Sequence, residues 1–173
     1  MTLLIILTAS YLYFLTGAVA LISWLRSSRT VKTQLLKLAI LTAPLALVLA
    51  FIGGLLYYDP RPFVLEHVRP LIAHAADNGF PSDHTLLCMT VAAVIWVYHR
   101  RTGILLALIG LVVGSARVLA HVHHPVDIAG STLIAVLATA IAWYLIERAR
   151  GVDNALTRLL APLSDLASPR RTG

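Results

Sequence analysis

Long apolar stretches alternate with short polar connections along the chain, and five of these stretches predict helices. Crossing a hydrocarbon core of about 30 Å takes about 20 apolar residues at about 1.5 Å each. The stretches cover residues 3–25, 35–58, 84–98, 103–122 and 127–146. The third stretch is the shortest, so its ends are the least sharply defined. The pattern predicts an all-α, polytopic membrane bundle of about five transmembrane helices.

The first apolar stretch is expected to remain in the protein as a helix. It lacks the basic segment that precedes the apolar core of a secretory signal, and it is longer than the roughly 7–15 residues of such a core. It continues without a charged residue from position 3 to position 25. We therefore count it as the first transmembrane span.

Composition favours a membrane protein and excludes most soluble classes. Apolar residues make up 58% and charged residues 13% of the chain, against about 45–50% and about 25% in ordinary soluble domains. The single cysteine, Cys88, cannot form a disulfide within the chain. In so apolar a chain, the net charge of +6 indicates basic cytoplasmic loops rather than nucleic-acid binding. No nucleic-acid partner is expected.

Basic residues lie mainly in connections that share one side of the predicted bundle. With five spans, 11 of the 14 Lys and Arg residues fall on the side of the first connection, the third connection and the C-terminal tail. The positive-inside rule makes that side cytoplasmic and puts the N-terminus outside. Six of the seven histidines and five of the eight acidic residues fall on the opposite side. Polar chemistry is therefore expected at the external face.

The pattern divides the chain into a transmembrane domain over residues 1–150 and a cytoplasmic tail over residues 151–173. Leucines recur in the tail at helical spacing beside Arg158, which predicts an amphipathic helix on the membrane surface. Those leucines are Leu156, Leu159, Leu160, Leu163 and Leu166. A disordered tail is the alternative, and the residues from Ser168 onward are expected to be disordered in either case.

Two arginines on the external side are candidate phosphate ligands. A cationic Arg117 at the end of an apolar span is costly unless it faces a wet, paired pocket. The planar guanidinium group can bind phosphate oxygens through two parallel hydrogen bonds, so Arg61 and Arg117 together could hold a di-anion. The Ser82 hydroxyl and the backbone N–H groups of Asp83 and His84, at a helix start, are expected to add donors.

Histidines in the same two segments are candidates for covalent catalysis. A neutral imidazole can attack phosphorus and carry the phosphoryl group, while a second, protonated imidazole can donate to the departing oxygen. A carboxylate on the nucleophile's other ring nitrogen fixes its tautomer. Asp127 follows His123 by four residues, which makes His123 the candidate nucleophile and His84 the candidate acid. The alternative for His123 and Asp127 is a hydrogen-bonded pair that only caps the fifth span.

These residues resemble the motifs of the type-2 phosphatidic acid phosphatase superfamily. The motifs of that superfamily are K-x6-R-P, P-S-G-H and S-R-x5-H-x3-D, in that order. This chain has Arg61-Pro62, then Pro81-Ser82-Asp83-His84, then Arg117-x5-His123-x3-Asp127. Within the superfamily, Phe63 after Arg-Pro and the flanks Phe80 and Thr85 are similar to the bacitracin-resistance type of undecaprenyl-diphosphate phosphatase.

The resemblance implies a bacterial enzyme that hydrolyses undecaprenyl diphosphate to undecaprenyl phosphate and phosphate through a phosphohistidine. It implies a multi-pass protein of the inner (plasma) membrane with an external active site, which recycles the cell-wall lipid carrier and gives bacitracin resistance. No metal and no other cofactor is implied, and the partners are the polyprenyl diphosphate lipid and membrane lipids. The implied catalytic residues are His123, His84 and Asp127, and the implied substrate-binding residues are Arg61, Arg117, Ser82, Pro81 and Asp83.

The chain departs from the superfamily pattern at several positions. Gly54 stands where the first motif has its lysine, so one phosphate-binding cation is missing. Ala116 separates Ser115 from Arg117, and Asp83 replaces the glycine of the second motif. The superfamily usually has six spans, and a six-helix core is the alternative to the five counted above.

Two other functions remain open. One is a phosphatase for another lipid phosphate, such as phosphatidylglycerol phosphate, phosphatidate or a lipid A phosphate. The other is a transporter or binding protein that recognises an anion without chemistry. Oligomeric state and chain-length preference are not determined by the sequence.

The remaining polar residues receive weaker assignments. Zinc at the cluster of His121, His123 and His124 is disfavoured, because consecutive side chains rarely reach one metal and no cysteine assists. The sequence predicts supporting or interfacial positions for His67, His74, His121 and His124. Glu66 and Arg69 are expected to form a local ion pair or to contact headgroups. Asp77 either shapes the loop or touches substrate, and the sequence does not decide between them.

Small residues in the fourth span predict close helix packing. Gly110 and Gly114 have the spacing that lets helices approach closely and are expected to face a neighbour within the bundle rather than a dimer partner. Cys88 is expected to be a buried apolar residue.

Overall fold

The protein is an all-helical membrane bundle. A computed structural model describes residues 1–167, apart from the side chains of residue 152 and residues 154–167. The helices are α1 (Thr2–Arg26), α2 (Arg29–Leu56), α3 (Pro62–Leu65), α4 (Asp83–Tyr98), α5 (Arg100–Leu119) and α6 (Pro125–Ala167). The part of the chain that the structure describes contains no β-strand beyond an isolated bridge between Pro60 and Asn78. The predicted fold class is confirmed.

Four helices are long and apolar enough to cross a membrane: α1, α2, α5 and the Pro125–Gly151 part of α6. The third predicted span, α4, has 16 residues and packs against all four of them. Its central position explains why it is apolar on every face, with Cys88 fully buried as expected. Large apolar side chains on the outer faces of α1 and α2 are exposed, as expected for surfaces that meet hydrocarbon.

Several helix boundaries differ from the predicted spans, each for a local reason. Helix α2 begins six residues earlier than expected, at Arg29, because the Ser28 side chain accepts a hydrogen bond from the N–H of Val31 and caps it. Helix α5 ends at Leu119, three residues earlier than expected, and His121 then adopts a left-handed backbone with φ of 61°. The four-residue α3 was not predicted.

Helix α6 continues past residue 150, where the sequence divides the transmembrane domain from the tail. Its backbone remains helical for 43 residues, from Pro125 to Ala167. The tail leucines and the residues from Ser168 onward lie outside the described side chains and residues. The amphipathic surface helix of the tail therefore stays a prediction.

Two glycines of α5 pack inside the bundle as predicted. A Cβ atom on Gly110 would lie 3.1 Å from Cβ of Cys88, and one on Gly114 would lie 2.7 Å from Cγ2 of Ile128. No side chain fits at Gly114 without moving α6. Helices α4, α5 and α6 therefore come together just beneath the end of the bundle that carries the candidate chemistry.

The two ends of the bundle have different charge. One end holds the N-terminus of α1, the connection between α2 and α4, and the connection between α5 and α6. At the other end, the Ser27 hydroxyl and His99 Nε2 are 2.7 Å apart and join the α1–α2 connection to the α4–α5 connection. Basic residues cluster at this second end. They are Arg26, Arg29, Lys32, Arg100, Arg101, Arg148 and Arg150.

Candidate active site

One asparagine side chain organises the long connection between α2 and α4. The amide Nδ2 of Asn78 donates to the carbonyl oxygens of Gly54 at 3.0 Å and Tyr57 at 3.1 Å. Its Oδ1 accepts from the backbone N–H groups of Asp59 at 2.9 Å and Phe80 at 3.0 Å. The end of α2 and the segment that leads into α4 are therefore held side by side.

His123 and Asp127 form a buried pair at the start of α6. Their exposed fractions are 2% and 0%. His123 Nδ1 lies 3.1 Å from Asp127 Oδ2 and 3.0 Å from the carbonyl oxygen of Gly79. Both neighbours are acceptors, so Nδ1 carries the proton and the lone pair is on Nε2. The arrangement can present an unprotonated ring nitrogen to an electrophile.

Gly79 lies where the segment before α4 contacts the start of α6, and a side chain would be crowded there. A Cβ atom at this position would lie 3.1 Å from Asp127 Oδ2 and 3.1 Å from the carbonyl oxygen of Asp59. The N–H of Gly79 donates to that same Asp59 carbonyl at 2.7 Å. The absence of a side chain lets the backbone approach the carboxylate and the imidazole together.

Arg61 is buried beside the His123 ring, with 5% of its surface exposed. Its Nη1 donates to the Val122 carbonyl at 2.8 Å and lies 3.4 Å from His123 Nε2. Its Nε donates to Asp77 Oδ1 at 2.7 Å. That hydrogen bond lowers the pKa of Asp77, the residue whose role the sequence left undecided. Asp77 thus orients the guanidinium group from the solvent side.

Arg117 is also buried, with 3% of its surface exposed. Its Nη1 donates to the Ala9 carbonyl of α1 at 3.2 Å, and its Nη2 lies 3.1 Å from His74 Nε2. The Nε–H group has no hydrogen-bond partner among the described residues. An unpaired buried guanidinium N–H is costly, so this donor is available to an anion.

The start of α4 supplies the remaining predicted residues. The half-buried His84 ring packs edge-on against Tyr13 of α1, with ring centres 4.9 Å apart, and it lies within electrostatic reach of Arg117 and His123. Ser82 is fully buried, and its hydroxyl oxygen accepts from Thr85 Oγ1 at 3.2 Å. Pro81 is half-buried and Asp83 is exposed.

The structure therefore brings His123, Asp127, Arg61, Arg117 and His84 to one end of the bundle. Their order and spacing can be compared with those of known proteins. The PAP2 superfamily sequence model matches residues 35–150, which is most of the chain and contains every residue of the site. The chain belongs to the PAP2 superfamily.

Curated proteins similar to this PAP2 member include two from Bacillus. The bacitracin transport permease protein BcrC of Bacillus licheniformis is 33% identical over 138 residues, which cover 79% of this chain and 67% of that protein. The undecaprenyl-diphosphatase BcrC of Bacillus subtilis (strain 168) is 38% identical over 97 residues, which cover 56% of this chain and 50% of that protein. The second match thus spans half the length of its relative.

A solved structure shares the architecture of this PAP2 member. The crystal structure of Aquifex aeolicus LpxE superposes with a TM-score of 0.55 at 25% identity and covers 78% of this chain and 87% of that one. The helical arrangement described above is therefore also found in an experimental structure.

Sequence reasoning missed the position of one histidine in this PAP2 site. His74 was expected to be interfacial or supporting, but its ring centre lies 6.0 Å from that of His123. Burial, together with the charges of Arg61 and Arg117, lowers its pKa to about 4. No sequence signal locates this residue, because the path of the loop depends on contacts such as those of Asn78.

Other polar residues around the site pair differently from the predictions. Glu66 pairs with His121 and not with Arg69, since Glu66 Oε2 lies 3.1 Å from His121 Nδ1 on the surface, and the alternative of headgroup contact stays a prediction. His124 Nδ1 lies 2.8 Å from Asp59 Oδ2. The pKa of Asp59 is raised, chiefly by burial. His121 and His124 thus turn toward different carboxylates.

One group of side chains in this region has the composition of a metal site. Asp59, His124 and Asp127 each offer a ligand atom, and these atoms lie within 4.8 Å of one another. The group divides into two pairs, because His124 engages Asp59 while Asp127 Oδ2 accepts from His123 and from the N–H of His124 at 2.9 Å. These hydrogen bonds explain why the three side chains lie close together, with no cation required to hold them.

Proposed function

We propose that the protein is a membrane phosphatase that hydrolyses undecaprenyl diphosphate to undecaprenyl phosphate and inorganic phosphate. The observation that carries the proposal is the buried His123–Asp127 pair, in which the unprotonated Nε2 of His123 lies 3.4 Å from Arg61 Nη1. The printed activity of the Bacillus subtilis relative supports the choice of substrate. Release of phosphate from undecaprenyl diphosphate by the purified protein is the direct test.

The proposed reaction has two steps. In the first, the bound diphosphate favours uptake of a proton by His84, His123 Nε2 attacks the terminal phosphorus, a P–N bond forms, and the P–O bond to undecaprenyl phosphate breaks as His84 donates that proton to the leaving oxygen. In the second, water attacks phosphorus, gives its proton to His84, and the P–N bond breaks to release phosphate. Each cycle restores neutral His123 and protonated His84.

The arginines stabilise charge during both steps. Phosphoryl transfer depends mainly on positioning and on stabilising charge at the equatorial oxygens. Arg61 lies beside His123 Nε2 and Arg117 beside His74, and the partnerless Nε–H of Arg117 is a donor for one of those oxygens. Asp127 keeps His123 in the attacking tautomer and stabilises the imidazolium that develops.

An anion transporter is the competing function, since one similar protein is named a transport permease. A site that only binds an anion needs donors, but it does not need a buried carboxylate that orients a neutral imidazole. The His123–Asp127–Gly79 arrangement therefore favours chemistry. Acid-quench trapping of radiolabelled phosphate on the protein separates the two functions, because only the phosphatase forms a phosphohistidine.

We place the protein in a bacterial inner (plasma) membrane, with the site on the external side. There it would recycle the lipid carrier of cell-wall synthesis and give bacitracin resistance. The lipid chain stays in the outer leaflet while the diphosphate enters between the arginines. Side-by-side turnover of undecaprenyl diphosphate, phosphatidylglycerol phosphate, phosphatidate and a lipid A phosphate distinguishes this function from related lipid phosphatases.

The orientation can be tested with two exposed arginines at opposite ends of the bundle. Arg69 lies in the α2–α4 connection and Arg101 at the start of α5. We expect the cysteine of Arg69→Cys to react with a membrane-impermeant thiol reagent in intact cells, and that of Arg101→Cys to react only after lysis. The unmodified protein is the control, because Cys88 is buried. The reverse labelling pattern would contradict an external site.

Activity is expected to survive complete removal of divalent metal ions. The proposed charge stabilisation comes from Arg61 and Arg117, and the carboxylates of Asp59 and Asp127 are already paired with histidines. Phosphate release should be the same, within about twofold, before and after exhaustive chelation. Loss of activity with chelator and recovery with zinc would make Asp59, His124 and Asp127 a metal centre instead.

A further inference from the structure

The first motif of the superfamily has a lysine where this chain has Gly54, and a side chain at that position would be crowded by the segment before α4. A Cβ atom on Gly54 would lie 3.2 Å from the Phe80 carbonyl oxygen and 3.7 Å from Asn78 Nδ2. The Asn78 side chain and the Phe80 backbone occupy the space through which a long side chain would leave α2. A third phosphate-binding group therefore has to come from another element.

His74 is placed to fill this role. It lies on the connection between Arg61 and Ser82, its Nε2 is 3.1 Å from Arg117 Nη2, and its ring is nearly perpendicular to that of His123 with centres 6.0 Å apart. A guanidinium group can only donate, so His74 Nε2 accepts and the ring is neutral in the empty site. Its Nδ1 then carries the hydrogen.

We infer that His74 is a phosphate-binding residue that takes the place of the missing motif lysine, and this inference rests on the proposed function. When a diphosphate enters, its oxygens take the Arg117 donors that His74 accepts in the empty site. The released imidazole then donates a hydrogen bond to the terminal phosphate. The bound anion favours protonation of the ring, which then donates through both nitrogens as a cation.

The charges around His74 explain why it binds anions selectively. The groups that act on it are Arg61 and Asp77 from its own connection, Arg117 from α5, His123 from the α5–α6 connection and His84 from α4. In the empty site the two arginines and burial disfavour a proton on His74, whose pKa is about 4. A bound phosphate offsets the positive charge of the two arginines and favours the protonated ring.

Two substitutions separate phosphate binding from a purely supporting role. In His74→Gln, the amide oxygen can still accept from Arg117 but the side chain cannot become a cation. In His74→Lys, the ammonium group cannot accept from Arg117 but can bind an anion. If His74 binds phosphate directly, the lysine variant keeps affinity and the glutamine variant loses it. If His74 only orients Arg117, the ranking is reversed.

The probe is inorganic phosphate, and binding is measured by calorimetry on the full chain in detergent. We expect His74→Gln to bind phosphate about 10-fold to 100-fold more weakly than the unmodified protein, and His74→Lys to bind within about threefold of it. His67→Asn is the matched control, because His67 is an exposed histidine of the same connection with a left-handed backbone that asparagine tolerates. It should bind as the unmodified protein does.

Each other outcome decides the inference as well. Unchanged binding in both His74 variants, or tighter binding in His74→Gln than in His74→Lys, overturns it. If both variants bind weakly, the inference stands when dissolved imidazole restores phosphate binding to His74→Ala and falls when it does not. Turnover of undecaprenyl diphosphate by the unmodified protein is measured separately. Its absence would contradict the proposed function without altering the phosphate-binding result.

Discussion

His123→Ala is expected to lose both turnover of undecaprenyl diphosphate and the phosphohistidine trapped by acid quench. Three features occur together in His123 and in no other described histidine at this end. Its ring is buried, its Nδ1 faces two hydrogen-bond acceptors, and its unprotonated Nε2 lies beside an arginine. The rate should fall to the background of the assay, because the covalent step has no substitute nucleophile. Both losses are measured on the same purified sample, by phosphate release and by retained radiolabel.

His121→Asn is the control for this prediction. His121 lies two residues before His123, but its ring pairs with Glu66 at the surface and its φ of 61° suits asparagine. We expect it to keep most of the activity and to form the phosphoenzyme. A phosphohistidine that still accumulates in His123→Ala would assign the nucleophile to another residue.

Asp127→Asn is expected to be the second most damaging change. The carboxylate accepts from His123 Nδ1 and from the N–H of His124, and an amide can present its NH2 group to the imidazole and favour the wrong tautomer. The corresponding change in a serine protease triad costs about 10⁴-fold in kcat. Here the Gly79 carbonyl remains as a second acceptor for Nδ1, so we expect a loss of about 10²–10⁴-fold. A single-turnover measurement should show that this loss of rate occurs in the formation of the phosphoenzyme.

Asp59→Asn provides a matched control for Asp127→Asn. Asp59 is a carboxylate that also pairs with a histidine, at 2.8 Å from His124 Nδ1, although it is slightly more exposed than Asp127. His124 does not contact the nucleophile through its ring, so the loss should stay below about tenfold. Equal losses in the two variants would contradict a specific role for Asp127 in orienting His123.

The sequence predicted the helices, and the candidate residues that it singled out lie together at one end of the bundle, because both features depend on local spacing. Apolar runs of about 20 residues identify spans, and the distances from Arg117 to His123 and from His123 to Asp127 are fixed by two consecutive elements. The position of His84 at the start of α4 follows from the same logic. These features need no knowledge of how the long connection is folded.

The rest of the site depends on contacts between residues far apart in sequence. His74 and Asp77 carry no periodic signal, and their places beside Arg117 and Arg61 follow from the path that Asn78 imposes on the connection. The expected pair of Glu66 with Arg69 failed for the same reason, since Glu66 meets His121 from another connection. The continuous α6 was missed because a change from apolar to mixed composition does not break a helix.

The four hydrogen bonds of Asn78 have a consequence for the thermodynamics of binding. They engage both amide donors and use the carbonyl oxygen twice, so the loop that carries Arg61 and His74 is ordered before any lipid arrives. A pocket that is preorganised in this way loses little conformational entropy on binding. The attraction between the diphosphate and the guanidinium groups then contributes to affinity almost undiminished. We therefore expect Asn78 to influence affinity through the order of the loop, because its own polar atoms are already engaged by the backbone.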